Sequence, residues 1–116
     1  MSMNQSVLIC DQVNPVLNEI LEKNGLQITY EPEITPEQIQ DKIENFEVVI
    51  VRSRTKITKG MIDKATKCQI IARVGVGLDN IDQAAAKEKN IRVINAVEGA
   101  MNAVAELVLG LMLSLA

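Results

Sequence analysis

The feature that most constrains this chain is a fivefold alternation of apolar, strand-like runs with segments of helical periodicity. Strands that alternate with helices over short connections predict a parallel sheet with helices on both faces. The 116 residues suffice for one domain, and the 47% of apolar residues suffice for its core. The five predicted strands are Ser6–Asp11, Gln27–Glu31, Glu47–Val51, Gln69–Arg73 and Ile91–Ile94.

Helix start and stop signals lie between these strands. Asn14 and Pro15 supply an N-cap and a proline at the first helical position, and Gly25 is predicted to end that helix. Thr35 begins a capping box around a second early proline. A short third helix is predicted over Thr58–Ala65, and its apolar residues recur at helical spacing.

The character of each strand predicts its place in the sheet. The first, third and fourth strands contain the continuous apolar runs VLIC, VVIV and IIA, as strands buried on both faces do. The second and fifth, QITYE and IRVI, alternate as edge strands do. A sequential order would place VLIC at an edge, so we predict the order 2-1-3-4-5. This is the flavodoxin-like arrangement, a three-layer α/β/α fold with right-handed crossovers.

The last fourteen residues are apolar on nearly every side of a helix, which requires burial. Together with Asn102 just before this segment, its polar or small exceptions form one stripe: Asn102, Glu106, Gly110 and Ser114. One interpretation is a final helix with one exposed face. The other, which we favour, is a domain over residues 1–98 followed by a helix, 99–116, that crosses into a second domain. In isolation this helix is expected to pack on its own sheet or on a second copy of the chain.

Composition excludes several classes of function. The net charge of −3 and the two aromatic residues give neither an electrostatic nor a stacking basis for nucleic-acid binding. The longest apolar stretch, Leu107–Ala116, is too short to cross a bilayer. Cys10 and Cys68 lie at or beside apolar strand segments and are interpreted as reduced core residues of a cytoplasmic protein.

No catalytic constellation is visible in the sequence. The chain has no histidine, which removes histidine-based metal sites and Ser-His or Cys-His catalysis. We predict no metal site. Asp11 and Glu98 are isolated carboxylates, predicted to be caps or turn residues. Cys10 follows an apolar run, which favours inert packing over nucleophilic chemistry.

A glycine pair after the fourth strand raises the question of a phosphate-binding loop. The dinucleotide fingerprint is G-x-G-x-x-G with a carboxylate at the end of the next strand. Here Asn80 stands in place of the third glycine after Gly75 and Gly77. The next strand ends near Asn95, which supplies no carboxylate. Two interpretations remain: a tight turn without a ligand, or a small anion-binding concavity made by backbone N–H groups. Asn80 is predicted to cap the following helix.

Cationic side chains at neighbouring strand ends favour the anion-binding interpretation. Arg52, Ser53 and Arg54 follow the third strand, and Arg73 ends the fourth. Ligands of such sheets bind outside the carboxyl ends of the strands, and guanidinium groups suit carboxylate and phosphate. A solvated basic loop is the alternative. Together these groups predict a site for a small acidic molecule.

Three segments resemble one known family: VVIVRSRTKIT (Val48–Thr58), IIARVGVGLDNID (Ile70–Asp82) and INAVEGAMNAVAELVLGLML (Ile94–Leu113). In this order and spacing they are similar to the N-terminal part of D-2-hydroxyacid dehydrogenases, with closer similarity to the phosphoglycerate branch. The resemblance implies a flavodoxin-like substrate-binding domain, an NAD-binding Rossmann domain further along the chain, and an active site between the two.

The resemblance also implies roles for individual residues. The substrate, a small phosphorylated acid, would be bound by Arg52, Ser53, Arg73, Gly75 and Val76. The NAD cofactor would lie near Val76, Asn102 and Glu106. The family's catalytic Arg, Glu and His would lie beyond residue 116, so no catalytic residue is expected in this chain and it should be inactive alone. Members of the family are expected to form homo-oligomers.

Two departures from the family pattern stand out. Relatives often carry threonine where this chain has Val76, and a proline where it has Val97 after Asn95-Ala96. The first leaves Val76 only backbone and van der Waals roles, and the second argues against a stiff hinge between the domains. Alternatives remain open: a glyoxylate or hydroxypyruvate reductase of the same family, or a stand-alone flavodoxin-like binding or regulatory domain. A receiver domain is disfavoured because Asp11 lacks further acidic partners for Mg²⁺.

Overall fold

The computed structural model describes residues 6–96 and 105–110. Its sheet is five-stranded and parallel, with the predicted order 2-1-3-4-5. The strands are β1 (Ser6–Ile9), β2 (Gln27–Tyr30), β3 (Val48–Val51), β4 (Ile70–Val74) and β5 (Arg92–Ala96). The helices are α1 (Pro15–Lys23), α2 (Pro36–Lys42) with a 3₁₀ turn at Ile43–Asn45, α3 (Lys59–Lys64) and α4 (Gln83–Glu88). Residues 105–110 are also helical.

The sheet separates two apolar cores. Helices α2, α3 and α4 cover one face, while α1 and the 105–110 helix cover the other. The largest fully buried side chains are all leucine or isoleucine, and each contributes about 1.5–3 kcal/mol by leaving water. All four residues of β3 are buried, whereas none in β2 is. The predicted edge and central strands are therefore confirmed.

Local signals fix most helix ends as predicted. The side chain of Asn14 accepts a hydrogen bond from the N–H of Val16 at 3.0 Å, and Thr35 forms both halves of its capping box. After α1, Gly25 adopts a φ of +89°, and the N–H of Leu26 reaches back to the carbonyl of Leu21 at 3.2 Å. This is a Schellman end, which requires the left-handed conformation that glycine adopts readily.

One predicted cap is wrong. The N-cap of α4 is Asp82, whose carboxylate accepts the N–H of Ala85 at 3.0 Å, and Asn80 lies before the helix. The reason is tertiary: the side chain of Asn80 is bonded to the loop after β3, as described below.

The 105–110 helix packs on the sheet next to α1. Ala105 and Val108 are fully buried there, while Glu106 and Gly110 are exposed. Two members of the polar stripe, Glu106 and Gly110, are thus exposed, and so is the apolar Leu107 at 42%. Asn102 and Ser114 lie outside the described residues. Among the residues that the structure describes, no helix is both long and apolar enough to cross a membrane.

Candidate functional site

The loops after β1, β3 and β4 meet at the carboxyl edge of the sheet. Arg73 of β4 is paired with the last residue of β3, so Arg52 and the Gly75–Gly77 turn leave the sheet side by side. A parallel bridge between Ile57 and Ile81 continues this pairing beyond the strands. The strand order thus brings the two predicted ligand segments together.

The carboxylate of Asp11 organises the loop after β3. Asp11 is 2% exposed, and its Oδ2 accepts the backbone N–H of Arg52 at 2.6 Å. Its Oδ1 accepts the hydroxyl of Thr55 at 2.6 Å and lies 2.9 Å from Nε of Arg54. These partners are more than 40 residues away in sequence, so Asp11 does more than the predicted cap or turn residue: it fixes one loop to another.

The guanidinium of Arg54 also holds backbone in place. Its Nη2 donates to the carbonyl of Cys10 at 2.6 Å, and both terminal nitrogens lie 3.3 Å from the carbonyl of Ile34. Together with its ion pair to Asp11, these hydrogen bonds let the Arg54 guanidinium connect its own loop to the loops that contain Cys10 and Ile34. Of the two arginines that flank Ser53, Arg54 therefore has a structural role.

Arg52 and Ser53 lie at the rim. The side chain of Arg52 is half-buried, and its Nη1 donates to the carbonyl of Gln12 at 3.2 Å. Ser53 is exposed at the bend of the loop. Because the backbone of Arg52 is held by Asp11, this cation is presented from a fixed loop.

The glycine turn has the backbone that the sequence predicted. Gly75 has a φ of +137° and Gly77 of +85°, which other residues rarely adopt. Val76 stands at the apex between them and is 83% exposed. A Cβ at position 75 would lie 3.7 Å from Nε of Arg73. The turn therefore runs close over the guanidinium and places an apolar side chain in solvent.

Arg73 is the most enclosed cation of the site. Its side chain is 11% exposed, and Nη1 donates to Oδ1 of Asn80 at 3.1 Å and of Asp79 at 3.4 Å. Nε is buried and has no hydrogen-bond partner among the described residues. A buried, unpaired donor costs free energy, about 1–3 kcal/mol, so the unpaired N–H favours a ligand that carries an acceptor.

Asn80 joins the two loops, a role that the sequence did not indicate because it predicted only a helix cap at this position. Its Nδ2 donates to the carbonyls of Arg52 at 2.6 Å and Thr55 at 2.8 Å, while Oδ1 accepts from Arg73. The carbonyl of Asn80 accepts the N–H of Ile57 at 2.9 Å. An asparagine that follows a glycine pair and precedes a helix is typical of a helix cap. Its bonds to Arg52 and Thr55 depend instead on the pairing of β3 with β4, which the local sequence does not contain.

The described residues do not form a dinucleotide cradle. The N-terminus of α4 is occupied by the Asp82 carboxylate, so a pyrophosphate would meet a negative charge there. The helix is also short, at six residues. Glu106, which the resemblance places near NAD, is exposed, and Asn102 lies outside the described residues. A bound NAD would therefore need other parts of the protein.

Neither cysteine is activated. Burial raises the pKa of the Cys10 thiol to about 12, and burial does the same for Cys68. Such thiols remain protonated and unreactive at neutral pH. Within residues 6–96 and 105–110, no group of three or more His, Cys, Asp or Glu could hold a metal ion.

Comparison with known proteins decides the family. The model of the D-isomer-specific 2-hydroxyacid dehydrogenase catalytic domain matches residues 7–109. The chain belongs to this dehydrogenase family. It is 43% identical to D-3-phosphoglycerate dehydrogenase of Methanocaldococcus jannaschii over 110 residues, which cover 95% of this chain and 21% of that protein. The family resemblance recognised in the sequence is therefore confirmed.

Two further proteins are similar to this chain in sequence or structure. Hydroxypyruvate reductase of Thermotoga maritima is 41% identical over 84% of this chain and 31% of its own length. A crystal structure of NAD⁺-bound 3-phosphoglycerate dehydrogenase from Entamoeba histolytica superposes with a TM-score of 0.72 at 31% identity, over 79% of this chain and 32% of that one. The chain thus spans about a fifth to a third of the length of these dehydrogenases.

Proposed function

We propose that this chain is the substrate-binding part of an NAD-dependent D-2-hydroxyacid dehydrogenase that oxidises 3-phosphoglycerate to 3-phosphohydroxypyruvate. The observation that carries the proposal is the enclosed Arg73 guanidinium, with an Nε that no described residue pairs, below the Gly75–Gly77 turn and beside the Arg52 loop. Identity to D-3-phosphoglycerate dehydrogenases supports the choice of substrate.

Each group of the site has a role that its chemistry suits. The guanidinium of Arg73 and the rim residues Arg52 and Ser53 bind the phosphate end of the substrate, since guanidinium and hydroxyl donors match phosphate oxygens. The backbone N–H groups of Gly75 and Val76 bind the carboxylate, as consecutive amides of a glycine turn bind anions. No general base stands among these residues, so their work is binding and orientation.

The cofactor of the proposed reaction is NAD, which would accept the hydride from the hydroxy carbon, while the hydroxyl proton would pass to a base outside these residues. The described residues supply no pyrophosphate site, because Asp82 occupies the helix terminus after the glycine turn. This chain would contact the nicotinamide only through the exposed apolar side chain of Val76 at the edge of the proposed site. The dinucleotide would be bound mainly by residues outside this region.

Because the chain has no histidine and no dinucleotide cradle in its described part, we expect no turnover from these 116 residues alone. Purified chain with NADH and phosphohydroxypyruvate should show no loss of absorbance at 340 nm above the rate without protein. Reproducible turnover that disappears in Arg73→Gln would contradict this division of roles.

A second candidate substrate is the unphosphorylated acid, as the identity to hydroxypyruvate reductase suggests. Calorimetric titration of the chain with 3-phosphoglycerate and with D-glycerate separates the two. We expect 3-phosphoglycerate to bind at least tenfold more tightly, because a charge-assisted hydrogen bond to phosphate contributes about 1.5–3 kcal/mol. Equal affinity for both acids would favour the reductase.

The same titration tests the site. Arg73→Gln should weaken binding of 3-phosphoglycerate about tenfold or more and affect D-glycerate less. Lys67→Gln, which removes the same charge from an exposed residue before β4 at the opposite edge, should leave both affinities within about twofold. If Lys67→Gln weakens binding as much as Arg73→Gln while both variants stay folded, net charge rather than this site binds the anion.

A further inference from the structure

The guanidinium of Arg73 has two edges, and the described residues use only one of them. Asn80 and Asp79 both accept from Nη1. Asp79 is 96% exposed, so its 3.4 Å contact is weakened by water, and Asn80 is the main anchor. Nε and Nη2 point their parallel N–H groups along the other edge, which is the fork that binds carboxylate and phosphate in bidentate fashion.

This unused edge lies beside the glycine turn. A Cβ on Gly75 would be 3.7 Å from Nε and 3.8 Å from Nη2 of Arg73, whereas one on Gly77 would lie 3.5 Å from Nη1. The Nε–Nη2 edge, which the proposed function assigns to the substrate phosphate, thus lies beside the turn whose backbone N–H groups are assigned to the carboxylate. Nε has no acceptor within the described part of the chain.

The orientation of the Asn80 carboxamide is fixed by its partners. Both donors of Nδ2 are used, on the carbonyls of Arg52 and Thr55, so Oδ1 must face Arg73. The flipped amide would place its oxygen against two carbonyl oxygens and its NH₂ against a cation. The Asn80 side chain therefore holds two groups in place: the loop that carries Arg52, and Nη1 of Arg73. With Nη1 bound to Asn80, the Nε–Nη2 edge of Arg73 is left for the ligand.

We propose that Asn80 is a positioning residue for the anion: by holding Nη1 of Arg73 and the carbonyls of the Arg52–Thr55 loop together, it directs the Nε–Nη2 edge of Arg73 to the substrate phosphate. The proposal deepens the proposed function and rests on it for the ligand. The coupling of Asn80 to Arg73, however, exists without ligand and is measured separately.

The first test needs no ligand. In ¹⁵N spectra of the chain, the Nε–H of Arg73 should exchange slowly with water, and Asn80→Ala should accelerate its exchange by about tenfold or more because the group is released. Asp82→Ala is the matched control, since it removes the cap of α4 without contacting Arg73. Equal exchange rates in wild type and Asn80→Ala would overturn the proposal, as would equal acceleration by Asp82→Ala.

The second test is a double-mutant cycle on affinity for 3-phosphoglycerate. Asn80→Ala should weaken binding about tenfold in the wild-type background, but by less than about twofold in the Arg73→Gln background. Equal losses in both backgrounds would show that Asn80 does not act through Arg73. If the wild-type chain binds no 3-phosphoglycerate while the exchange result holds, the proposed function fails and the coupling stands.

A third variant covers the case in which Asn80→Ala does not fold. Asn80→Asp keeps an oxygen for Arg73 and replaces the two donors to Arg52 and Thr55 with an acceptor. We expect slow Nε–H exchange to persist in the Asn80→Asp variant while the amide signals of residues 52–55 shift. Unchanged amide signals in that loop would contradict the coupling of the two segments by this side chain.

Discussion

Asp11 and Asn80 are single polar side chains that hold together the loops of the proposed site. Each is bonded to a loop that lies more than 20 residues away in sequence, and together they fix the backbone of Arg52 and Thr55 from two sides. Neither role is visible in the sequence around these residues, because local pattern suggests only a cap or a turn. The partners are supplied by the order of the strands.

The first residue-scale prediction concerns Asp11. Asp11→Ala should lower the free energy of unfolding by about 3–5 kcal/mol, because the buried N–H and hydroxyl of Thr55 and the part-buried N–H of Arg52 lose their acceptor. Urea denaturation at constant m-value measures the loss. Asp63→Ala, which breaks an exposed pair with Lys59 inside α3, should cost less than about 0.5 kcal/mol. Similar losses for the two variants would contradict the organising role of Asp11.

The second prediction follows from the buried thiols. Cys10 and Cys68 have pKa values raised from 9.0 to about 12 by burial, so between these values the folded chain binds more protons than the unfolded chain. Stability is therefore present below pH 9 and is lost as pH rises toward 12. Each thiol should remove roughly 1 kcal/mol by pH 10.

Chemical denaturation from pH 7 to 10 measures this slope in wild type and in Cys68→Ala. All other titrating groups are common to both chains, so the difference isolates one thiol. A shallower decline in Cys68→Ala is expected, whereas parallel curves would show that Cys68 ionises as easily in the folded chain as in the unfolded one.

At the scale of elements, strands and helix starts follow from sequence because their signals are local. Continuous apolar runs mark β1, β3 and β4 as central, and alternation marks β2 and β5 as edges. The observed strand ends differ from the predicted ones by up to two residues. Strand β1 ends at Ile9 instead of Asp11, whose side chain bonds the loop after β3, and β4 ends at Val74 instead of Arg73. Strand ends depend on which neighbour they pair with, which no local pattern contains.

The glycine turn yields the element-scale prediction. Gly77→Ala should destabilise the chain by about 1–2 kcal/mol, because a φ of +85° strains any residue with a Cβ. Gly60→Ala in α3 is the matched control, where only the flexible end of Gln40 is close, at 3.1 Å, and helix propensity favours alanine. Thermal unfolding of both variants tests this. A Gly77→Ala chain as stable as Gly60→Ala would show that the turn relaxes.

For the whole molecule, the parallel sheet explains why the groups of the proposed site lie together at this edge. The loops after β1, β3 and β4 must emerge together, and the sequence places arginines and glycines in two of them. The position of Arg52, Arg73 and the glycine turn could therefore be predicted from the strand order. The contacts of Arg54 and Asn80 could not be predicted in this way. Arg54 bonds carbonyl groups of two other loops, and Asn80 bonds two carbonyl groups that lie more than 20 residues away in sequence.

The most direct measurement is the location of bound 3-phosphoglycerate on the ¹⁵N-labelled chain. Saturating ligand should shift the amide signals of Ser53, Gly75 and Val76 and the Nε–H signal of Arg73, while residues 66–69 at the opposite edge stay unchanged. Inorganic phosphate should reproduce only the shifts near the cations. Shifts confined to the opposite edge, or no shifts at millimolar ligand, would contradict a substrate site on this domain.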